Sequence, residues 1–160
     1  MSGTIILEGV AARFGTLSTR LPASESRCSG NRPFREVLLP SCFDVALQSG
    51  KPITFDVGHD EAATFASTAD GALALWTDEF ALRFRIRVPE DHAVADAVER
   101  GRCRGVSISG WPSGTRNGDV IAVSTVELVS IALCIHPERP AHNGTFCRVH
   151  YPFIRERKSQ

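Results

Sequence analysis

The sequence predicts a mostly β domain in which six or seven strands form a closed or nearly closed barrel, with two helices packed around it. Three observations favour this fold class. The segment FALRFRIRV alternates apolar and arginine residues, as a strand with one wet face does. The run DVIAVSTVELVSIALCI is β-branched and apolar on both faces, which is typical of a buried central strand. Strand signals also recur at short spacing between turns, which favours a barrel over an α/β layer fold.

The first half of the chain supplies a strand, a loop and a helix in that order. Residues 4–14 are strand-like and are broken by Gly9. Residues 15–35 are rich in Ser, Arg, Pro and Gly, which predicts a long surface loop of the kind that is often functional. A short helix is expected at residues 41–49, ended by Gly50.

The middle of the chain predicts further strands and a second helix. The stretches ITFDV, ATFAS and ALALW are separated by HDE and ADG turns. An Ala/Val stripe running from residue 89 to 98 predicts the helix, and Gly101 stands where its C-terminal cap belongs. Residues 106–111 return to strand.

Composition excludes several classes of protein. The 160 residues fit one domain, and 18 basic residues balance 18 acidic ones, so no net field draws the chain to nucleic acid or to a membrane. No signal peptide or membrane-spanning run is recognisable, which predicts a soluble intracellular protein. The five cysteines form no CxxC pair and the five histidines form no HExxH motif, so we predict no disulfide framework, no metal site and no cofactor.

Two residues are candidates for chemistry on local grounds. Ser107 lies in GRCRGVSISGW, which differs from the nucleophile elbow of α/β-hydrolases because Ser109 replaces the last glycine and no helix pattern follows. His59 lies at a strand-to-turn junction beside Asp60. Taken singly, a strand serine and a turn histidine are more often structural than catalytic.

The order of several short motifs changes that assessment. EGVAARFG, EVLLPSCFDVAL, GHDE, ADGALALWTDEFALRFRIRV, ERGRCRGVSISGW and VELVSIALCIHPERPAH follow one another over residues 7–142. Together they resemble the prohead (capsid maturation) proteases of tailed bacteriophages, relatives of the herpesvirus assemblins. The resemblance implies a β-barrel serine protease that cleaves scaffolding or capsid protein segments, and also itself, inside the immature shell. It implies residues 1–142 as the protease-like barrel domain and leaves residues 143–160 as a basic tail.

The resemblance also implies roles for individual residues. His59 matches the histidine that acts as general base, and Ser107 matches the nucleophile. Ser109 would point to the same face of a strand as Ser107 and stays an alternative. Arg139 matches the arginine-bearing segment that supplies the oxyanion hole, through its guanidinium or through a backbone N–H of residue 138 or 139.

The third catalytic residue is where this sequence departs from the family. The family's histidine or acid before the apolar run of the late strand is replaced here by Ser130. A serine can orient an imidazole but carries no charge to stabilise imidazolium, which predicts weaker activity. Glu127 is the nearest carboxylate, but on a regular strand it points to the opposite face, so it could substitute only through a bulge.

Two functions therefore stand open. The first is a serine protease of phage or prophage capsid maturation, acting on capsid or scaffolding protein in the host cytoplasm within the procapsid; because assemblins act as dimers, the resemblance also implies a homodimer. The second is a barrel of the same descent that has lost hydrolysis and serves as a structural module of capsid assembly. No nucleic acid and no membrane are predicted as partners.

Overall fold

The computed structural model describes residues 3–136 and 138–151 and contains two α-helices and nine strands. The helices are α1 (Asp44–Gln48) and α2 (Ala93–Glu99). The strands are β1 (Thr4–Arg13), β2 (Arg35–Leu38), β3 (Thr54–Val57), β4 (Ala66–Ser67), β5 (Leu73–Thr77), β6 (Ala81–Pro89), β7 (Cys103–Asn117), β8 (Val120–Ile135) and β9 (Phe146–His150). Two short 3₁₀ turns lie at Ala23–Glu25 and Glu61–Ala63.

The strands form two sheets. The first has the order β5–β6–β1–β9 and is antiparallel throughout. In the second, β7 runs antiparallel along one edge of β8, and the other edge of β8 pairs first with β2 and then with β3, both parallel. The short β4 completes this sheet beside β3.

The mostly β prediction is confirmed, but the single closed barrel is not. Within the described residues no strand ladder joins the two sheets, and the strands number nine rather than six or seven. Sequence periodicity predicts which residues face a core, yet closure depends on whether the sheet edges pair, and this is a tertiary property. Segments as short as β4, with two residues, also carry too little pattern to be counted from sequence.

The alternation of β6 is confirmed. Its four apolar residues are at most 2 % exposed, whereas Arg85 and Arg87 face solvent. Phe84 of β6 meets Phe55 of β3 with ring centroids 4.9 Å apart. The core therefore lies between the two sheets, and Phe55 joins it from the second sheet.

Strand β8 lies at the centre of the second sheet, as the sequence predicts. Residues 131–134 are at most 3 % exposed, so both faces of β8 are covered here, and β7 and β3 pair with its two edges at the same level. Three irregularities interrupt the β7–β8 register. Strand β7 carries one extra residue between Cys103 and Val106, where Arg104 and Gly105 stand opposite Cys134 alone. Strand β8 carries one extra residue, Val129, opposite the step from Ser109 to Gly110, and another, Ser124, opposite the step from Ser113 to Gly114. A bulge of this kind changes which face the preceding residues occupy.

Both helices lie where the sequence predicts them. Helix α2 begins after His92, whose ring Nδ1 accepts a hydrogen bond from the Val94 N–H at 3.2 Å. It ends before Gly101, which adopts a φ of +70° and closes the helix as a C-terminal cap. No helix in the described part of the chain is long and apolar enough to cross a membrane.

Strand β9 falls within the segment that the sequence assigns to a basic tail. It pairs antiparallel with β1 from Ile6 to Val10, and Cys147 and Val149 pack against the core. Residues 146–150 are thus part of the first sheet, because their alternate apolar side chains have a core face to cover. Residues 152–160 of the expected tail lie outside the described residues.

Candidate active site

Ser107 lies on the face of the second sheet that points away from the core. Its neighbour Val106 is fully buried, as are Ile131 and Leu133 of β8. Successive strand residues point to opposite faces, so Ser107 points outward together with its register partner, Ala132. The RGVS segment is therefore half in the core and half at the surface, and the half-buried Ser107 side chain lies at the boundary.

A row of three residues crosses the sheet at the level of Ser107. Asp56 of β3 pairs with Ala132 of β8, and Ala132 pairs with Ser107 of β7. Adjacent strands are about 4.8 Å apart, so the backbones at Asp56 and Ser107 are about 10 Å apart. Ala132, which lies between these two residues, carries only a methyl group and is fully buried.

His59 is held above this part of the sheet by a tight turn after β3. Gly58 and His59 have φ values of +68° and +59°, and the Asp60 N–H donates to the Val57 carbonyl at 3.3 Å. Two consecutive residues with positive φ make a type I′ turn, in which a non-glycine residue such as His59 is uncommon. The Gly58 N–H also donates to the Leu133 carbonyl at 2.8 Å, which ties the turn to β8.

The same turn brings His59 against Asp56. The His59 backbone N–H donates to the Asp56 carboxylate, and the imidazole lies within electrostatic range of it. Burial raises the pKa of Asp56, an effect that the nearby imidazole and N–H group oppose and that Asp60 and Glu61 reinforce. Asp56 is only 3 % exposed, and its Oδ1 has no hydrogen-bond partner.

Sequence analysis did not select Asp56. One signal was available, because ITFDV places a charged residue in an apolar strand three positions before His59. A carboxylate at such a position is seldom fully buried unless it is paired.

A cleft of about 450 Å³ contains three of the predicted residues. His59, Ser107 and Arg139 all line it, as does the alternative nucleophile Ser109. Leu21 and Glu25 from the loop at residues 15–35 form part of the wall. The volume lies within the range of small-molecule and peptide side-chain sites.

The loop after β8 reaches the cleft because Gly105 has no side chain. A Cβ at residue 105 would lie 2.7 Å from Pro140 Cδ, so only glycine allows this approach. The Glu138 N–H donates to the Ile135 carbonyl at 2.8 Å. Two backbone N–H groups, those of Glu138 and Arg139, were expected as oxyanion donors, and the Glu138 N–H is engaged in this hydrogen bond. The remaining candidates are the Arg139 N–H and the Arg139 guanidinium.

A buried hydrogen-bonded pair also lines the cleft and was missed from sequence. His142 Nε2 lies 2.8 Å from Glu36 Oε1, and both side chains are about nine-tenths buried. The Glu36 N–H donates to Ser18 Oγ at 2.9 Å. Residues from β2 and from the segment after β8 are joined here, which no short-range sequence pattern indicates.

The two candidates for the third catalytic residue lie elsewhere on the sheet. Ser130 is half-buried, pairs with Thr54 and with Ser109, and does not line the cleft. The bulge at Val129 does turn Glu127 to the outer face, but Glu127 pairs with Trp111, four residues and about 13 Å along β7 from Ser107. Its carboxylate lies 3.6 Å from Lys51 Nζ and is well exposed.

Among the described residues, those that line the cleft include no cysteine. All five cysteines are free, and burial raises the pKa of Cys134 to about 11 and of Cys42 and Cys147 to about 12. These groups are protonated thiols at neutral pH, and a thiol is a weak nucleophile.

Comparison with known families gives one match. The model of the caudovirus prohead serine proteases matches residues 1–148 of this chain, which is more than nine-tenths of its length. A comparison with curated individual proteins found no match. The chain belongs to the caudovirus prohead serine protease family.

Proposed function

We propose that the protein is a serine endopeptidase of capsid maturation, with Ser107 as nucleophile and His59 as general base. The observation that carries the proposal is that these two side chains line one cleft although they come from β7 and from the turn after β3. An alcohol becomes an effective nucleophile only when an imidazole can take its proton. The family supplies the reaction class, since its members are prohead serine proteases.

The reaction follows from these roles. Ser107 Oγ attacks the carbonyl carbon of the scissile peptide while His59 takes the hydroxyl proton. The C–N bond then breaks, the leaving amine takes that proton from His59, and the acyl group stays on Ser107. Water, deprotonated by His59, hydrolyses the ester and releases the serine.

The negative charge of the tetrahedral intermediate needs a donor in the cleft. Arg139 lines the cleft, and its segment is held close to β7 by the contact between Gly105 and Pro140. We propose that the Arg139 N–H or guanidinium stabilises the oxyanion. Ser130 is proposed as a supporting hydroxyl, on the family resemblance, because it shares the outer face of the sheet with Ala132.

The substrates proposed are segments of capsid or scaffolding protein and the protease chain itself, cleaved inside the procapsid of the infected host. A homodimer is proposed as the assembled form. These proposals rest on the family, whose name specifies prohead proteolysis.

Active-site labelling tests the catalytic assignment. Wild-type protein is incubated with a fluorophosphonate, which forms a bond from phosphorus to an activated serine Oγ and releases fluoride, and the labelled peptide is identified by mass spectrometry. We expect labelling at Ser107, loss of labelling in Ser107→Ala, and retention in the matched variant Ser109→Ala. Labelling at Ser109 that persists in Ser107→Ala would show that Ser109, and not Ser107, is the nucleophile.

A non-catalytic capsid module is the second candidate function. It is favoured by Ser130, a neutral side chain where the family pattern has an ionisable one. A folded wild-type protein that neither reacts with the fluorophosphonate nor cleaves its cognate capsid protein would support the module and contradict the protease.

A further inference from the structure

Asp56 is a buried carboxylate without a full set of partners. It is 3 % exposed, its Oδ1 has no hydrogen-bond partner, and the described contacts of the carboxylate are those with the turn at His59. A buried polar atom without a hydrogen-bond partner destabilises a fold, so the presence of this carboxyl group needs an explanation. The core itself supplies none, because Asp56 points away from Phe55 and the other core residues of β3.

The position of Asp56 relative to the nucleophile is the second observation. Asp56, Ala132 and Ser107 form one register row, so one strand separates the residue that carries the carboxylate from the residue that carries the hydroxyl. The type I′ turn places His59 next to Asp56, with an uncommon positive φ at a non-glycine residue.

From these two observations we propose that Asp56 is the positioning residue for His59: its Oδ1 accepts a hydrogen bond from one imidazole N–H, so that the other ring nitrogen faces Ser107. The inference rests on the proposed function. Asp56 fixes the ring orientation and tautomer and balances the charge of the imidazolium that forms when Ser107 is deprotonated. It moves no proton of its own.

This assignment gives the site an acid that comes from a different strand than Ser130 and Glu127. Those residues lie on β8, whereas Asp56 lies on β3, directly before the histidine turn. The other charged groups near the carboxylate are Asp60 and Glu61, which are exposed and carry the same sign. Asp60 already accepts from the Ala62 N–H at 2.9 Å as the cap of a 3₁₀ turn.

The test is the rate of fluorophosphonate labelling of Ser107 in Asp56→Asn. Asparagine keeps the shape but loses the charge, and its amide can hold the ring in the wrong tautomer. We expect the labelling rate to fall at least about tenfold, with a melting temperature within about 5 °C of wild type. The matched control is Asp60→Asn, which removes the same charge next to His59 and should change the rate less than about threefold.

The outcomes separate this inference from the proposed function. If the wild-type protein is not labelled at Ser107, the proposed function fails. If wild type is labelled and Asp56→Asn reacts within tenfold of it, or if Asp60→Asn is equally slow, the positioning role is overturned while the protease assignment stands.

A spectroscopic measurement on the unaltered protein covers the case in which Asp56→Asn does not fold. In protein labelled with ¹⁵N-histidine, the His59 ring N–H is assigned by its absence in His59→Gln. We expect a downfield resonance that exchanges slowly with water, as a hydrogen-bonded imidazole N–H does. Absence of such a resonance for His59 would overturn the proposal.

Discussion

Gly105 and Pro140 are in contact at a distance that no other residue at position 105 would allow, since a Cβ there would lie 2.7 Å from Pro140 Cδ and 2.9 Å from Cγ. The contact joins the strand that carries Ser107 to the segment that carries Arg139. A glycine two residues before Ser107 therefore sets how closely the segment of Arg139, the proposed oxyanion donor, approaches the strand of Ser107, the proposed nucleophile.

Gly105→Ala is expected to slow catalysis without unfolding the protein. The added methyl group must push the proline ring and the Arg139 segment away, and a displacement of about 1 Å in a catalytic group can cost up to about 100-fold in rate. We expect a loss of about tenfold or more in cleavage of the cognate capsid protein. Thr115→Ala, an exposed position on the same strand, is the control and should be neutral. An unchanged rate in Gly105→Ala would show that the segment after β8 does not contribute to catalysis.

His59→Ala and Ser107→Ala are expected to reduce activity by similar amounts, and the double variant should be little worse than either. Nucleophile and base act as one unit, so removing the second after the first removes nothing further. The measurement is kcat/KM for capsid protein cleavage in all three variants. Additive losses would contradict a shared mechanism.

Ser130→Ala is expected to lower the rate by on the order of tenfold, because a neutral hydroxyl contributes orientation and little charge stabilisation. Ser130→Glu would restore an acid to the late strand, and activity should hold or rise unless the larger side chain costs about 1–3 kcal/mol in packing. Rate and thermal stability are therefore measured together. If Glu127→Gln is inactive while Ser130→Ala keeps full activity, Glu127 would be the third catalytic residue instead of Ser130.

The Glu36 and His142 pair is expected to be a stability determinant of the cleft. Removing one partner of a buried hydrogen-bonded pair leaves the other side chain without a partner and costs about 1–3 kcal/mol. His142→Ala should therefore lower the free energy of unfolding by at least about this amount, measured by urea denaturation. The double variant Glu36→Gln/His142→Ala should lose less free energy of unfolding than the two single variants lose in sum. Full additivity would mean that the two side chains do not interact.

The raised pKa of Asp56 predicts a pH dependence of stability. The folded state holds the Asp56 proton more tightly than the unfolded state, whose pKa is near the ordinary value of 3.8. Asp56 therefore lowers stability when the pH is above its folded pKa, and this penalty disappears as the pH falls toward 3.8. The free energy of unfolding of Asp56→Asn should exceed that of wild type by more at pH 7 than at pH 4. Urea denaturation at both values checks this, and a stability difference that does not change with pH would contradict the burial of an ionised carboxylate.

Local pattern was enough to predict most strands and both helices. The alternation in β6 and the β-branched run of β8 each report which faces of a strand are covered, and that information is contained in the residues themselves. The order of short motifs also indicated the family, and with it His59, Ser107 and Arg139, which share a cleft. These residues could be named because each lies in a local sequence context.

Only the tertiary structure decided what lies between and around those residues. Asp56 is opposite Ser107 because β3 and β7 both pair with β8, and strand register is set by long-range packing rather than by neighbouring residues. The bulge at Val129 reverses the face on which Glu127 lies, and the pairing of Glu36 with His142 joins segments far apart in the chain. The sequence by itself determined most of the strands and the candidate residues His59, Ser107 and Arg139. The two open sheets and the carboxylate of Asp56 beside His59 followed from how the strands pair. Strand pairing depends on long-range contacts, and no local sequence pattern contains them.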